Sequence, residues 1–334
     1  MNEPRIIGWT LGNDCPFKCS HCYSLSVRNK GQNLNKGIID KITSELKELN
    51  INSVVLGGNE PIFTNGLNPK ESLLPYIIDN LSEAEINPII ISSGFTINFL
   101  YKYKLEMLKK VKHIIISIDS PFELEHNNNR GAKLFDMAME SLRIAGELNI
   151  PKTILLVAMN WNFDEKHVEE LINLCKRTNS FLRINIYKSE RDHKFSPEIG
   201  QLISSFKYLL DNSNTHIVTE PMLNQIFYNQ KSYPFCGLNT FRINSITPDG
   251  KIPISKCIYK HSDRFGNIVE ESLPYLYNNK ITESVSPSEN FCNCLNPLYK
   301  PQLNYLKTYK YKITYHKDLE YFNYYICTWW GSPK

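Results

Sequence analysis

The amino-acid sequence predicts an α/β fold with a parallel sheet, and three observations lead there. Short apolar runs of strand type alternate strictly with longer amphipathic ones. Within the longer runs apolar residues recur at three- and four-residue intervals, the period of a helix with one face on a core. The unusual residues cluster where the strand-like runs end, at the carboxyl edge where parallel sheets bind ligands.

Taken in order, Ile6 to Thr10 is strand-like and leads into a cysteine loop, and Ser53 to Leu56 ends at Gly57-Gly58. Pro88 to Ile91 ends at Ser92-Ser93-Gly94, and His113 to Ile118 ends at Asp119. Thr153 to Ala158 ends at Met159-Asn160, and Phe181 to Ile186 ends at Tyr187. Helices are expected over Gly37 to Leu49, Glu71 to Glu83, Phe99 to Lys110, Lys133 to Asn149, Glu165 to Thr178 and Pro197 to Leu210. In the first of these, Ile38, Ile39, Ile42, Leu46 and Leu49 mark the core face. Strict alternation requires parallel neighbours, because each needs a crossover. Periodicity alone leaves open whether the sheet closes into a barrel.

Composition sets the bounds. The chain has 334 residues, 42% of them hydrophobic, enough for one large domain with an appendage or for two medium ones. A formal charge of +4 is mild and no block of like charge appears, which argues against nucleic acid as a partner. The mixed segment from Lys307 to Lys317 alternates lysine with tyrosine and reads as a half-buried strand. No run approaches the roughly 18 apolar residues that span a bilayer, and no signal segment precedes the first strand, so a cytoplasmic protein is expected. Nine cysteines in such a chain read as metal or redox ligands before they read as disulfides.

Cys15, Cys19 and Cys22 are the most informative of these. Gaps of three and two residues let three soft thiolates converge on three corners of a cubane, leaving one iron open to a substrate or cofactor. A zinc site is the alternative on spacing alone, but it wants a fourth ligand, and His21 is adjacent to Cys22 and diverges from it. Gly57-Gly58-Asn59-Glu60-Pro61 reads either as a ligand loop, where glycine permits close backbone approach and a carboxylate suits a cationic amine, or as an ordinary turn.

With these motifs in this order, the chain resembles the radical S-adenosylmethionine (SAM) family. The resemblance covers about residues 5 to 210. It implies a partial (β/α)6 barrel and a four-iron (4Fe–4S) cluster on Cys15, Cys19 and Cys22, whose open iron takes SAM. It also implies that Gly57, Gly58, Asn59 and Glu60 hold the SAM ammonium, that Ser92 lies near its ribose and methionine part, and that Ser117 faces its carboxylate. His21 stands where the family places an aromatic against the adenine. Arg183 is a guanidinium partner for the SAM carboxylate, with a surface ion pair as the plain alternative. His126-Asn127-Asn128-Asn129-Arg130-Gly131 resembles the family's His-Asp-x-x-Arg-Gly segment, with Asn127 in place of the acid.

Past residue 211 the alternation ends and a second cysteine set begins. A hairpin with a Pro248-Asp249-Gly250 turn lies between Cys236 and Cys257 and resembles the opening of a SPASM or twitch domain. Cys292 and Cys294 then complete one auxiliary 4Fe–4S cluster, with a zinc knuckle on the same four thiolates as the alternative. Cys327 is an outside candidate, and Cys175 on a helix face reads as a small buried hydrophobe. The expected division is a core over 1–211 and an auxiliary domain over 212–334.

The resemblance implies an enzyme that cleaves SAM reductively to a 5′-deoxyadenosyl radical and abstracts hydrogen from a ribosomally made peptide, leading to a crosslink, epimerisation or excision. The alternative is a dehydrogenase or epimerase of a small molecule such as an aminoglycoside precursor. Implied partners are the peptide, a separate small leader-recognition protein and an external donor of flavodoxin or ferredoxin type. No acid, base or hydrogen donor can be named from the sequence.

Overall fold

The computed structural model describes residues 6–12, 14–22, 34–187, 194–212, 217–219, 241–247, 250–255, 264–281, 311–315 and 325–329. It shows an α/β fold around a parallel sheet. Strands β1 (Ile6–Leu11), β2 (Ser53–Gly58), β3 (Asn87–Ser92), β4 (His113–Ser117), β5 (Lys152–Ala158), β6 (Phe181–Ile186) and β7 (Ile217–Thr219) pair in chain order, all parallel. Helices α1 (Lys36–Glu48), α2 (Leu74–Glu83), α3 (Phe95–Tyr103), α4 (Leu105–Lys109), α5 (Glu123–Arg130), α6 (Phe135–Glu147), α7 (Glu165–Thr178) and α8 (Ile199–Asn212) fill the crossovers.

The helices form where apolar spacing and caps agree. Asn35 caps α1 by accepting from the Ile38 N–H, and Ile39, Ile42 and Leu46 present a fully buried stripe. Each such side chain contributes about 1.5–3 kcal/mol on burial. Asp164 caps α7 through the His167 N–H, and Asn179 ends that helix in a left-handed conformation. Cys175, on the buried face of α7, belongs to the core, and burial pushes its thiol up to about 12.

Three helix expectations are corrected. Glu71 lies in a separate single turn, Pro69–Glu71, and α2 begins only at Leu74, with Pro75 in its first turn. The helix expected over Phe99 to Lys110 is two, α3 and α4, divided at Lys104, whose φ of −146° is not helical. The helix expected from Lys133 starts at Phe135, because Asn127 on the additional helix α5 caps it there.

Strand alternation gives the sheet two unlike faces. Trp9, Leu56, Ile90, Ile116, Ile154 and Ile184 point into the main core with the helices. On the opposite face Ile89, Ile115 and Leu155 form a small apolar floor with Ile6, Val55, Ile91 and Phe181. Toward the carboxyl ends of the strands the same face also carries Ser117 and Arg183, on either side of Leu155.

The later strands extend the same sheet. β8 (Arg242–Ile243) pairs parallel with β1, β9 (Pro253–Ser255) and β10 (Arg264–Asn267) follow antiparallel, and β12 (Tyr325–Trp329) with β11 (Tyr311–Tyr315) joins beyond β7. Across this pairing the Arg242 side chain lies over Gly8, its Nη1 2.6 Å from where a Cβ would stand. Segment 268–273 is fastened to α1, with Lys41 Nζ donating to the Ile268 carbonyl at 2.7 Å and the Leu273 N–H to Glu45 Oε2 at 2.9 Å.

Candidate functional site

The cysteine loop leaves the carboxyl end of β1 and is fastened on two sides. On one side Phe17 packs edge-on against Phe95 at the start of α3, their ring centroids 6.0 Å apart. On the other the Ser20 N–H donates to the Asn129 carbonyl at 2.9 Å, and the Ser20 hydroxyl reaches Asn129 Oδ1. The Cys22 N–H donates to the Cys19 carbonyl at 3.1 Å, so these two cysteines share one turn. Cys15 and Cys22 are half-buried and Cys19 is buried.

Burial pushes the Cys19 thiol up to about 11, with the Arg130 cation partly opposing it and Asp119, Cys22 and Cys15 adding to it. Three thiols on one short loop, held by contacts on both sides, are soft donors that fit an iron–sulfur cluster. Among the described residues no three His, Cys, Asp or Glu side chains are gathered at single-ion spacing.

Beside this loop lies a buried polar network that the sequence did not single out as such. Asp119, fully buried just past β4, pairs with Arg130 on α5. Arg130 Nη2 donates to Oδ1 at 2.7 Å, and Nε approaches Oδ2 to 2.6 Å but off-axis. Asn129 Nδ2 donates to Asp119 Oδ2 at 2.7 Å and to His21 Nδ1 at 2.8 Å. The Asp119 backbone is held too, its N–H by His126 Nδ1 at 3.1 Å and its carbonyl by Asn162 Nδ2 at 2.6 Å. Burial alone would raise the Asp119 carboxyl, but the Arg130 guanidinium outweighs it with help from His21 and His126, so it stays below the ordinary range. Burial lowers His126 to about 4 and also lowers His21, each partly opposed by the Asp119 carboxylate. The signal that could have exposed the network was the pairing of one acid at a strand end with one arginine in the following segment.

Asn127, which stands where the resemblance places an acid, works through its carbonyl oxygen. Oδ1 accepts from the N–H groups of Leu134 at 2.8 Å and Phe135 at 2.9 Å, capping α6.

The glycine loop after β2 is fastened to the same edge. Asn59 Nδ2 donates to the Gly12 carbonyl, 3.2 Å away, at the end of β1. Gly58 has φ +102°, and a Cβ there would collide with Thr10 Cγ2, so only glycine fits. A Cβ on Gly57 would meet Ile91 at an ordinary 3.4 Å.

Glu60 and Ser92 are buried and bonded to each other. Glu60 is 3% exposed, and its carboxylate already accepts five hydrogen bonds: the Ser92 hydroxyl at 2.5 Å, the Ser93 N–H and hydroxyl at 2.9 and 2.6 Å, and the Thr96 N–H and hydroxyl at 2.9 and 2.5 Å. Ser92 shares the core-facing parity of Ile90, and its hydroxyl also accepts from the Gly94 N–H at 2.8 Å. Strand parity therefore turns Ser92 away from the face that carries Ser117 and Arg183. Both residues brace the loop and the start of α3.

Ser117 and Arg183 lie two strands apart on the sheet. In the sheet register Ser117 is opposite Leu155, and Leu155 is opposite Arg183, so the two polar residues share one row on the face away from the helices. Two strand spacings separate them, about 10 Å. Arg183 Nε donates to Asn185 Oδ1 at 3.2 Å. The remaining expected ligands, Cys236, Cys257, Cys292 and Cys294, lie outside the described residues. Cys327 is on β12, paired with Ile217 and Ile313.

A model of the radical SAM superfamily matches residues 9–175, from β1 to α7, which takes in the cysteine loop, the glycine loop and the Asp119 network. The chain belongs to the radical SAM superfamily. Membership makes it an enzyme and implies SAM and a 4Fe–4S cluster.

The radical SAM fold of the chain has several solved counterparts. It is similar to SuiB from Streptococcus suis bound to SAM, with a TM-score of 0.66 and 16% identity over 90% of this chain and 71% of that one. The complex of SuiB with its precursor peptide SuiA gives a TM-score of 0.68 and 17% identity over 91% and 71% of the two chains. The enzyme anSMEcpe with bound AdoMet and the Kp18Cys peptide gives 0.65 and 16% over 84% and 82%. No curated protein matches the chain in sequence. Among the described residues no helix is long and apolar enough to cross a membrane.

Proposed function

We propose that this radical SAM enzyme takes hydrogen from a ribosomally made peptide to modify it, with SAM as the radical source. The observation that carries the reading is the Asn59 to Gly12 hydrogen bond, which fixes the glycine loop to the strand end that launches Cys15, Cys19 and Cys22. A sulfonium nucleoside held by that glycine loop is then beside the three thiolates. Cys15, Cys19 and Cys22 would hold a cluster that, reduced by an external donor, would supply the electron that splits SAM into methionine and a 5′-deoxyadenosyl radical.

The protein's own part is to bind, orient and exclude water. The backbone of Gly57, Gly58 and Asn59 offers its carbonyls to the SAM ammonium, while Glu60, its carboxylate committed to Ser92, Ser93 and Thr96, keeps that backbone rigid. Ser117 and Arg183, in one row, offer a hydroxyl and a guanidinium to the SAM carboxylate. His21 has its ring edge tied to Asn129, so a ring face is what it presents to an adenine. The apolar floor of Ile89, Ile115 and Leu155 keeps water from the radical's path.

The peptide substrate is supported by likeness of fold to SuiB, solved with SuiA, and to anSMEcpe, solved with peptides. The remaining parts of the reading are a partial-barrel core over 1–211, an auxiliary cluster on Cys236, Cys257, Cys292 and Cys294 in a twitch-like domain over 212–334, a cytoplasmic location, an external flavodoxin- or ferredoxin-type donor and a separate leader-recognition protein.

Anaerobic reconstitution with iron counting, followed by SAM cleavage under strong reductant, tests the core. About eight irons falling to about four in Cys292→Ala supports both clusters, at four irons per cubane. Incubation of the reconstituted enzyme with a panel of short ribosomal peptides, read by mass spectrometry, tests the substrate. A mass or fragmentation change in such a peptide supports the reading. Turnover of an amino sugar with all the peptides unchanged would overturn it in favour of a small-molecule enzyme.

A further inference from the structure

The guanidinium of Arg130 stands between a carboxylate and a sulfur. Nη2 donates to Asp119 on one side, with Nε close to the same carboxylate, and on the other Nη1 points at Cys19 Sγ from 3.9 Å. All three residues are buried, Asp119 completely and the other two to more than nine-tenths. An ion pair so placed costs desolvation that a pair of apolar side chains would avoid, so packing alone does not account for it. Its orientation is the informative part: the cation, not the anion, faces the thiol.

The neighbouring contacts converge on the same few residues. Asn129, one position before Arg130, holds the Ser20 N–H through its carbonyl, the Ser20 hydroxyl and His21 through its side chain, and Asp119 as well. Gly131, with φ +63°, ends the helix directly after Arg130, and a Cβ there would come within 3.4 Å of the Lys18 carbonyl. Loop residues 18 to 21 therefore lie against the last turn of α5, and that turn is anchored to the end of β4 through Asp119.

We propose that Arg130, oriented by Asp119, is the positioning residue that fixes Cys19 and sets the reduction potential of the iron–sulfur centre it ligates. This rests on reading Cys15, Cys19 and Cys22 as cluster ligands. Reduction adds negative charge to the centre and its thiolates. A buried cation and N–H donor aimed at one ligand sulfur favours that state and moves the potential to less negative values. Asp119 prevents the guanidinium from turning away and offsets its charge only from the far side.

The test compares wild type, Arg130→Gln and Arg130→Lys after anaerobic reconstitution. Iron and sulfide are counted, and the midpoint is read by potentiometric titration of the electron paramagnetic resonance signal that SAM perturbs. Arg130→Gln is expected to keep its iron with a midpoint clearly more negative than wild type. Arg130→Lys, which keeps the charge but lacks a second arm for the sulfur while bound to Asp119, is expected to fall between them. An unchanged midpoint in iron-loaded Arg130→Gln overturns the inference. Where that variant fails to fold, an unchanged midpoint in Arg130→Lys does the same. A wild-type protein that takes up no iron on the amino-terminal cysteines overturns instead the cluster reading beneath it.

Discussion

Glu60 and Ser93 meet twice: one carboxylate oxygen, Oε2, accepts both the backbone N–H and the hydroxyl of the serine, at 2.9 and 2.6 Å. Together with the bonds to Ser92 and Thr96, this makes the acid of the glycine loop a buried clasp between β2, β3 and α3. Glu60→Gln keeps the shape but turns one acceptor into a donor facing donors. Stability is expected to drop by about 3 kcal/mol, the scale of losing bonds to a charged buried acceptor, as read from the urea midpoint of the purified protein. A drop within error would mean that the clasp is dispensable.

The two glycines of the loop are expected to behave differently. Gly58→Ala places a methyl group on Thr10 in a conformation with φ +102°, which costs about 1–3 kcal/mol in backbone strain before the collision is counted. Gly57→Ala meets Ile91 at an ordinary contact distance and is expected to be far milder. Thermal unfolding compared between the two variants checks the order, and equal losses would refute it.

Ser117 and Arg183 share one row of the sheet, so each is expected to act on SAM binding more than on folding. Ser117→Ala and Arg183→Gln should each weaken SAM binding about tenfold, the equivalent of one charge-assisted bond, with little change in melting temperature. Formation of 5′-deoxyadenosine against SAM concentration measures this. A fall in maximal rate at unchanged half-saturation would assign the pair to another step.

His113 supplies a pH dependence. It is fully buried on β4, with Nε2 2.8 Å from Thr153 Oγ1, and burial lowers it to about 3 from an ordinary 6.5. Between those values the unfolded chain binds a proton that the folded chain refuses, so stability rises with pH through this window. The contribution is therefore present above pH 6.5 and is lost progressively as pH falls toward 3. The double variant His113→Leu with Thr153→Val should flatten the decline of the urea midpoint between pH 7 and pH 4.5, and an unaltered slope would count against it.

The parallel sheet was legible because alternation and helical period are local signals. Ile39, Ile42 and Leu46 announce one face of α1, and Ser53 to Leu56 announces a buried strand, with no knowledge of their partners. Helix α5 was not legible as a helix, since Asn127, Asn128 and Asn129 are poor helix formers and the turn is held by Asp119, Ser20 and His21 from elsewhere. The break at Lys104 was likewise hidden in a continuous apolar period. In the site, the cysteine loop was readable from spacing. The bond between Glu60 and Ser92 was not, because a motif gives residue identity without saying which way a side chain turns. Parity was available: Ile90 is a core residue, and Ser92 two positions on must share its side.

Strand β1 is hydrogen-bonded on one flank by β2 and on the other by β8, so the strand that launches the cysteine loop is completed by residues that leave the ribosome late in synthesis. Until Arg242 settles over Gly8, that strand is an open sheet edge, and pairings so distant along the chain form slowly. Insertion of the iron–sulfur centre that the family implies is then expected to follow synthesis past residue 243, and a truncation before β8 would leave β1 open on that flank.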